Sequence, residues 1–356
     1  MQSITVQNLI SATAIYMGFV AALFVLRKFL PGPLKQGQQL RDGTRKTYKL
    51  NGFLLLIVLA VGLAIGQLTK LTNLARVNEL FWPLLVVGNV FAFAHTFALL
   101  AVGHAKSGKG WLEDFWFGPE LNPDLWGVDL KMFAYMPSLM GLWVLNLSFA
   151  AMQYQELGHL TTRMALYETF FTIYIFNYFQ FEYGMLHTWD VIAENFGFML
   201  VWGDYVVVPF FYCICGWYML RNTAPMPAYE VAALALLFAC GFWLFRGSNE
   251  QKHQYKENPK APIWGKTPET VGGRLLVSGF WGIGRKLNYT GELMVYFSWT
   301  LCTGAESILP YVLPLWLVCL FSHRAWRDDQ RCRAKYGALW DEYCRRARFR
   351  MIPFVY

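Results

Sequence analysis

The chain has 356 residues, of which 56% are hydrophobic and only 15% carry a charge. Soluble domains average roughly 25% charged residues, so this composition excludes an ordinary water-soluble protein. The formal net charge of +8 does not require nucleic acid as a partner, because basic loops lying against the cytoplasmic face of a membrane explain it.

Apolar runs long enough to cross a bilayer recur along the chain, since a spanning helix needs about 20 such residues. They predict an all-α integral membrane protein with about nine to ten transmembrane helices in one polytopic domain over 1–356. Pro310 and Pro314 interrupt the last run and predict a hairpin there, and a tenth span is open in 274–289. The predicted spans are 8–29, 51–69, 80–103, 134–157, 165–186, 196–220, 227–246 and the two arms of 291–322.

The loop after the first span is strongly basic and sets the expected topology. By the positive-inside rule it faces the cytosol, which places 104–133, 187–195, 247–273 and the C-terminus on the same side. No short apolar region with a cleavage site opens the chain, so the first span is expected to be retained. The basic residues of this loop are Arg27, Lys28, Lys35, Arg41, Arg45, Lys46 and Lys49, against Asp42 alone.

The seven cysteines give no sign of a disulfide framework or a structural metal site. They form no CxxC pair, and their number is odd. Cys213 and Cys215 lie one residue apart inside an apolar span, where packing is the expected role. We therefore expect free thiols and no metal.

The stretch "WLEDFWFGPELNPDLWGVDLK" at 111–131 is rich in turn formers interleaved with aromatic residues. Trp111, Trp116 and Trp126 suit a membrane–water interface. The alternative is a lid or wall over a binding site. The sequence leaves both interpretations open.

The segment "HRAWRDDQRCRAKYGALWDEYC" at 323–344 predicts a helix with a mixed polar face. Residues four apart lie on one face, and Gly337 is a plausible helix stop. A helix whose polar side chains only face water would have opposite charges spread over its surface. This face instead combines groups that suit a ligand with rings, hydroxyls and phosphates. The face consists of Arg324, Asp328, Cys332 and Tyr336, and a neighbouring stripe of Arg327, Arg331 and Lys335 could instead meet lipid phosphates.

A second polar segment on the expected cytosolic side reads "GFWGIGRKLNY" at 279–289. Its spacing is not G-x-G-x-x-G and no βαβ unit surrounds it, which excludes a Rossmann site. Its glycines allow close backbone approach to a ligand, and its remaining side chains offer cations, an amide and aromatic faces. The loop at 249–259 adds Lys252 and Lys256. A nucleotide entering from the cytosol would meet all of these groups.

Four motifs resemble the sterol reductase family, which includes the sterol Δ14-, Δ7- and Δ24(24(1))-reductases and the membrane domain of the lamin B receptor. They are "DFWFGPELNP" at 114–123, "FGFMLVWGDYVVVPFFY" at 196–212, "LLVSGFWGIGRKLNYTGE" at 275–292 and the C-terminal run from "ILPYVLPLWLVCLFSHRAWRDDQ" onward. The resemblance covers about 110 to the end, so it implies N-terminal helices in 1–105 and a catalytic region in 106–356.

The resemblance implies an NADPH-dependent enzyme that saturates a carbon–carbon double bond of a sterol held in the bilayer. It also implies a cytosol-facing cofactor pocket in the C-terminal half. The residues that match the family's cofactor positions are Lys252, Lys256, Leu276, Trp281, Asn288, Tyr289, Arg324, Asp328, Cys332 and Tyr336. This set contains the helix face found from spacing alone.

Reduction of an isolated alkene also needs a proton donor near an apolar slot, because the alkene accepts hydride only after protonation. Ionisable residues within spans are functional candidates. The candidate catalytic residues are Tyr178, Glu182, Asp190 and Asp204. Asp204 is the hardest to explain structurally because it lies well inside an apolar run, whereas Glu182 and Asp190 could simply bond a helix end. His187 is expected to be an interfacial polar residue.

Two other functions stay open at this point: an S-adenosylmethionine-dependent membrane methyltransferase of the isoprenylcysteine type, and a non-catalytic sterol-binding protein. Among the reductase activities we expect Δ14 reduction first, with Δ24(24(1)) and Δ7 next. The absence of a long N-terminal extension favours a plain enzyme. The endoplasmic reticulum membrane and a bacterial inner membrane both fit, and the sequence leaves the oligomeric state open.

Overall fold

A computed structural model of the protein describes residues 4–40 and 43–356, and most of these residues are helical. Arg41 and Asp42 of the basic loop lie outside the described residues. The chain divides into two compact units, residues 1–223 and 224–356.

The first unit is built mainly from α-helices, with two short antiparallel hairpins between them. Its helices are α1 (Val6–Phe29), α2 (Gly52–Leu68), α3 (Leu74–Glu79), α4 (Phe81–Ser107), α5 (Trp111–Phe117), α6 (Leu130–Leu157), α7 (Thr162–Gln180), α8 (Trp189–Ile192), α9 (Phe198–Trp202), α10 (Val208–Phe211) and α11 (Ile214–Met219). A 3₁₀-helix covers Glu182–His187, and a π-helical turn covers Gly203–Val207. The strands are β1 (Leu34–Gln39) with β2 (Arg45–Lys49), and β3 (Asp124–Leu125) with β4 (Val128–Asp129).

Local signals explain where several of these helices begin and end. The Thr5 hydroxyl accepts a hydrogen bond from the Asn8 N–H and caps α1. The Asp129 carboxylate caps α6 in the same way, accepting from the Met132 N–H at 2.8 Å. Helix α6 ends at Gly158, which has a positive φ of 75°.

The motif at 114–123 is held against the start of the motif at 196–212. Gly118 has a φ of 100°, and a Cβ there would lie 2.3 Å from the Phe196 carbonyl carbon. Asn195 donates a side-chain hydrogen bond to the Gly118 carbonyl at 2.9 Å, and the Phe196 N–H donates to the Glu120 carbonyl at 2.8 Å. Only glycine permits this approach, so two motifs that are far apart in sequence form one structural unit.

The second unit contains five α-helices and one short hairpin. Its helices are α12 (Ala228–Glu257), α13 (Phe280–Ile283), α14 (Leu287–Leu301), α15 (Val312–Tyr336) and α16 (Ala338–Arg346), and a 3₁₀-helix covers Leu309–Tyr311. Strands β5 (Thr270–Val271) and β6 (Leu275–Leu276) pair antiparallel. Helices α12 and α14 pack closely through glycines at Gly241 and Gly291.

Within the described ranges, five helical segments are long and apolar enough to cross a membrane by length and composition. They are α1, α4, α6, the broken segment Phe198–Met219 and α12, and α2 is a shorter apolar helix. The chain is therefore a multi-pass membrane protein. The stretch 274–289 forms no long helix, because β6, α13 and the start of α14 divide it. The open possibility of a tenth span there is wrong.

Candidate active site

The second unit carries the polar helix face that the sequence predicted. Helix α15 runs without a break to Tyr336, and Gly337 ends it with a φ of 54°, its N–H donating to the Arg333 carbonyl at 2.9 Å. Arg324, Asp328, Cys332 and Tyr336 follow one another at intervals of four residues on this helix. The predicted helix and its stop are confirmed.

Asp328 is the charged centre of this face. It forms an ion pair with Lys286, and its Oδ1 lies 2.5 Å from Arg331 Nη2. Burial favours the neutral carboxyl, but the Lys286 ammonium outweighs it and holds the pKa of Asp328 below its ordinary value. The pair is therefore fully charged at neutral pH, and its contribution to stability is lost only as the pH falls through that lowered pKa.

Lys252, near the end of helix α12, belongs to the same group of side chains as Asp328. Its ammonium lies 4.1 Å from the centre of the Trp281 ring, a cation–π contact. The Trp281 indole N–H in turn donates to the Ser248 carbonyl at 2.9 Å. Lys252 interacts electrostatically with Lys256, Lys286 and Asp328. Residues from α12, α13 and α15 thus meet in one cationic cluster.

Asn288 and Tyr289 extend this cluster along α14. The Asn288 amide donates to the Asn249 side-chain oxygen at 3.3 Å, while its own buried oxygen accepts no hydrogen bond among the described residues. Tyr289 stacks on Phe321 with ring centres 4.9 Å apart. A buried amide oxygen without a donor is unusual and marks a place where a ligand donor would fit.

The remaining predicted cofactor residues fall into three environments. Leu276 packs with Trp281 in an apolar cluster, while Cys332 and Tyr336 pack against the cluster around Trp340. Arg324 and Lys256 are exposed. Arg324 shares the α15 face with Asp328.

Asp329, the neighbour of Asp328, has a structural role that the sequence analysis missed. It is 6% exposed and accepts a hydrogen bond from the Trp340 indole N–H at 3.2 Å. It also pairs with Arg350 at 3.2 Å and lies 3.8 Å from Arg285. One buried carboxylate therefore ties α15 to α16, to the C-terminal segment and to the residue before Lys286.

In the first unit, Glu182 is engaged in structural contacts. Its carboxylate accepts a hydrogen bond from Arg27 Nη1 at 2.9 Å and another from the Gly52 N–H at 2.8 Å. Arg27 also donates to Asn51 at 2.6 Å. These contacts join α1, the start of α2 and the end of α7, and they favour the structural interpretation of Glu182.

Asp204 lies in the π-helical turn between α9 and α10 and is only 8% exposed. It interacts electrostatically with Asp190 and Lys131. The fully buried Lys131 ammonium donates to the Asp190 carbonyl at 2.7 Å and to the Glu194 carbonyl. Two predicted acids thus share one buried lysine. A π-turn is rare and often marks a functional site.

Tyr178 lies near the end of α7. Its hydroxyl contacts the Met185 sulfur at 2.6 Å. His187 ends the 3₁₀-helix just before α8, and its interfacial role stays a prediction.

Two comparisons with known proteins bear on this arrangement. A family model described as the "Ergosterol biosynthesis ERG4/ERG24 family" matches residues 8–356. The chain belongs to this family. The predicted resemblance to sterol reductases is confirmed, and it extends through the N-terminal helices, where the sequence motifs gave no sign of it.

Several proteins named Delta(14)-sterol reductase align over nearly the whole chain. The Delta(14)-sterol reductase of Arabidopsis thaliana is 41% identical over 94% of this chain and 93% of its own length. That of Methylotuvimicrobium alcaliphilum is 37% identical over 97% of this chain and 83% of its own. The mouse Delta(14)-sterol reductase TM7SF2 is 34% identical over 96% of this chain and 84% of its own length.

Within this ERG4/ERG24 member, three buried polar residues of the first unit escaped the sequence analysis. The Tyr205 hydroxyl and His95 Nδ1 have no hydrogen-bond partner among the described residues, and their rings lie 5.5 Å apart. Both Glu168 carboxylate oxygens are likewise buried without a partner. Each is a polar residue inside an apolar run, a signal that was present in the sequence.

Proposed function

We propose that this chain is an NADPH-dependent Δ14-sterol reductase of sterol biosynthesis. The observation that carries the proposal is the shared name of the relatives from a plant, a bacterium and an animal, all Delta(14)-sterol reductases, which align over at least 94% of this chain. The compartment is the endoplasmic reticulum membrane in a eukaryote or the inner membrane in a bacterium. The methyltransferase alternative has no support from the family.

The proposed topology has nine spans, formed by α1, α2, α4, α6, α7, the segment Phe198–Met219, the apolar part of α12 up to 246, α14 and the apolar part of α15 up to 322. With the basic loop after α1 in the cytosol, α12 ends on the cytosolic side, and so does α15. The cationic cluster of the second unit then faces the compartment that holds the nucleotide.

The residues of the second unit fit an anionic dinucleotide. Lys252, Lys256 and Arg324 supply cations for phosphate groups, and Asp328 supplies an acceptor for a ribose hydroxyl. The unsatisfied Asn288 oxygen suits a carboxamide N–H donor, and Trp281, Tyr289 and Tyr336 offer ring faces, with Leu276 and Cys332 as apolar neighbours. When bound, NADPH supplies the hydride.

Asp204 is the proposed proton donor. The proton adds to the less substituted carbon of the double bond, which leaves a tertiary carbocation that the hydride then neutralises. Asp190 and Lys131 act with Asp204, because both lie within its electrostatic range. We assign Glu182 to support of the helix ends and Tyr178 to packing, since their contacts are already made within the fold.

Replacing Lys252 with glutamine should weaken NADPH binding by about 10- to 100-fold, since a hydrogen bond to a charged group contributes roughly 1.5–3 kcal/mol. Lys260→Gln is the matched control, because Lys260 is exposed beyond the end of α12. Titration of NADPH with each purified variant measures the effect. If the Lys252→Gln variant and the parent bind NADPH with equal affinity, Lys252 does not contact the cofactor.

The substrate is tested by NADPH oxidation with purified protein and sterols unsaturated at Δ14, Δ7 or Δ24(24(1)). We expect turnover with the Δ14-sterol and a product that has lost that double bond. Turnover with the Δ7- or Δ24(24(1))-sterol alone would keep the reductase assignment and overturn the Δ14 specificity. Binding of S-adenosylmethionine in place of NADPH would overturn both.

A further inference from the structure

A cavity of about 240 Å³ in the first unit lies outside the group around Asp204. Three elements line it: the end of α1, strand β2 and the β3–β4 hairpin. Pockets for drug-sized ligands usually measure about 300–1,000 Å³. This cavity is therefore large enough for a compact polar group and too small for a sterol.

The charges around this cavity leave an excess of positive charge. Four cations and two carboxylates line it. Lys46 binds both carboxylates, Asp124 at 2.5 Å and Asp129 at 2.7 Å. Arg27 is paired with Glu182. The other two cations are Lys28 and Lys49.

In the part of the chain that the structure describes, no carboxylate pairs with Lys28 or Lys49. Lys49 Nζ donates to the Lys28 carbonyl at 2.7 Å, which keeps its charge at the cavity wall. Lys28 Nζ lies 5.6 Å from the centre of the Trp126 ring. Two ammonium groups thus face the same small space without a counter-charge, an arrangement that suits an anion.

Trp126 adds a strained and exposed wall. It occupies the two-residue turn between β3 and β4 with a φ of 51°, a conformation that a bulky residue rarely adopts. It is 73% exposed, yet it keeps an edge contact with Phe24 of α1 at 6.1 Å between ring centres. Backbone strain of this kind is concentrated at ligand sites and switches.

The position of the cavity along the helices identifies the source of the anion. Helix α1 ends at this cavity and α6 begins beside it, and both are long and apolar enough to cross a membrane. The boundary between a spanning helix and its polar loop is the depth of the lipid headgroups. Phe29, at the end of α1, is 74% exposed, as expected for a lipid-facing side chain.

We propose that this cavity binds the phosphate group of a membrane phospholipid, with Lys28 and Lys49 as its cationic ligands and Trp126 as a wall. The site is separate from the reductase chemistry and does not depend on which sterol is reduced. The occupant is a lipid phosphate because the cavity lies where apolar helices meet polar loops. A free phosphate ion could make the same contacts with the two lysines, so the experiment must distinguish it from a lipid.

The test uses full-length protein, stripped of lipid in detergent, and native mass spectrometry with added phosphatidic acid. We expect one lipid to be retained, and its affinity to fall about 25-fold in the Lys28→Gln/Lys49→Gln double variant, at roughly fivefold for each lysine. Lys106→Gln/Lys109→Gln removes the same charge at the exposed end of α4 and should retain the lipid.

Two further ligands distinguish the possible sources. Diacylglycerol with the same acyl chains should not compete, because it lacks phosphate, and inorganic phosphate at millimolar concentration should not displace the lipid. Equal retention by the parent and the Lys28→Gln/Lys49→Gln variant would overturn the proposal. So would equal losses from both double variants, and full displacement by inorganic phosphate would overturn the lipid source. Thermal melting of each variant excludes unfolding as the cause of a loss.

Discussion

Replacing Asp204 with asparagine is expected to lower Δ14-sterol reduction by about 10²- to 10⁴-fold, the usual contribution of a general acid. Asparagine has nearly the same size and keeps the fold, but it cannot give up a proton. NADPH affinity should be unchanged, because Asp204 is not one of the proposed cofactor residues. Single-turnover measurement with saturating NADPH isolates the chemical step.

The matched control for this variant is Glu182→Gln. It weakens the pairing with Arg27 across three helix ends, so it should lower thermal stability more than it lowers the chemical rate. Tyr205→Phe tests the nearby hydroxyl that has no partner among the described residues. If the chemical rate falls more in Tyr205→Phe than in Asp204→Asn, Tyr205 and not Asp204 is the proton donor. Full turnover by a folded Asp204→Asn variant would show that Asp204 is not the proton donor.

Replacing Asp329 with alanine is expected to lower the free energy of unfolding by about 3–5 kcal/mol, the usual cost of removing one partner from a buried ion pair. The change leaves Arg285 with a buried guanidinium and the Trp340 indole N–H without its acceptor. Asp329 joins α15, α16 and the C-terminal segment, so the second unit should open first. Thermal melting in detergent, followed by limited proteolysis of residues 224–356, measures this.

The adjacent Asp328 provides the control for this change. Asp328→Ala should alter NADPH binding while keeping most of the stability, because the Asp328 side chain is 19% exposed against 8% for Asp329, and its partner Arg331 is half exposed. Asp341→Ala removes an exposed carboxylate from α16 and should change stability by less than about 1 kcal/mol. Equal stabilities of the Asp329→Ala and Asp341→Ala variants would contradict the role assigned to Asp329.

Local patterns in the sequence predicted the helices well. Five of the predicted apolar runs correspond to helical segments long enough to cross a membrane, while the total of nine spans stays a prediction. The α15 face and its stop at Gly337 follow from residue spacing alone. The possible tenth span in 274–289 does not form, and apolar composition could not show this because it does not reveal where glycines and a short hairpin divide a segment. Length and hydropathy describe one helix at a time and miss such interruptions.

Tertiary contacts account for what the sequence could not predict. Glu182 lies 155 positions from Arg27, so its ion pair left no local signal. The adjacent Asp328 and Asp329 look alike in sequence, yet burial of the second against Trp340 separates their roles. The π-turn that holds Asp204 packs against α4 and α6, and this tertiary packing leaves no periodic signal in the sequence.

The most direct test of the account is to follow both hydrogens that are added to the sterol. Purified protein is incubated with NADPH and a Δ14-unsaturated sterol in deuterated water, and the product is analysed by mass spectrometry and NMR. The account predicts one solvent deuterium at the less substituted carbon of the former double bond and the NADPH hydrogen at the tertiary carbon. Solvent deuterium at the tertiary carbon, or NADPH consumption without a saturated sterol, would contradict it.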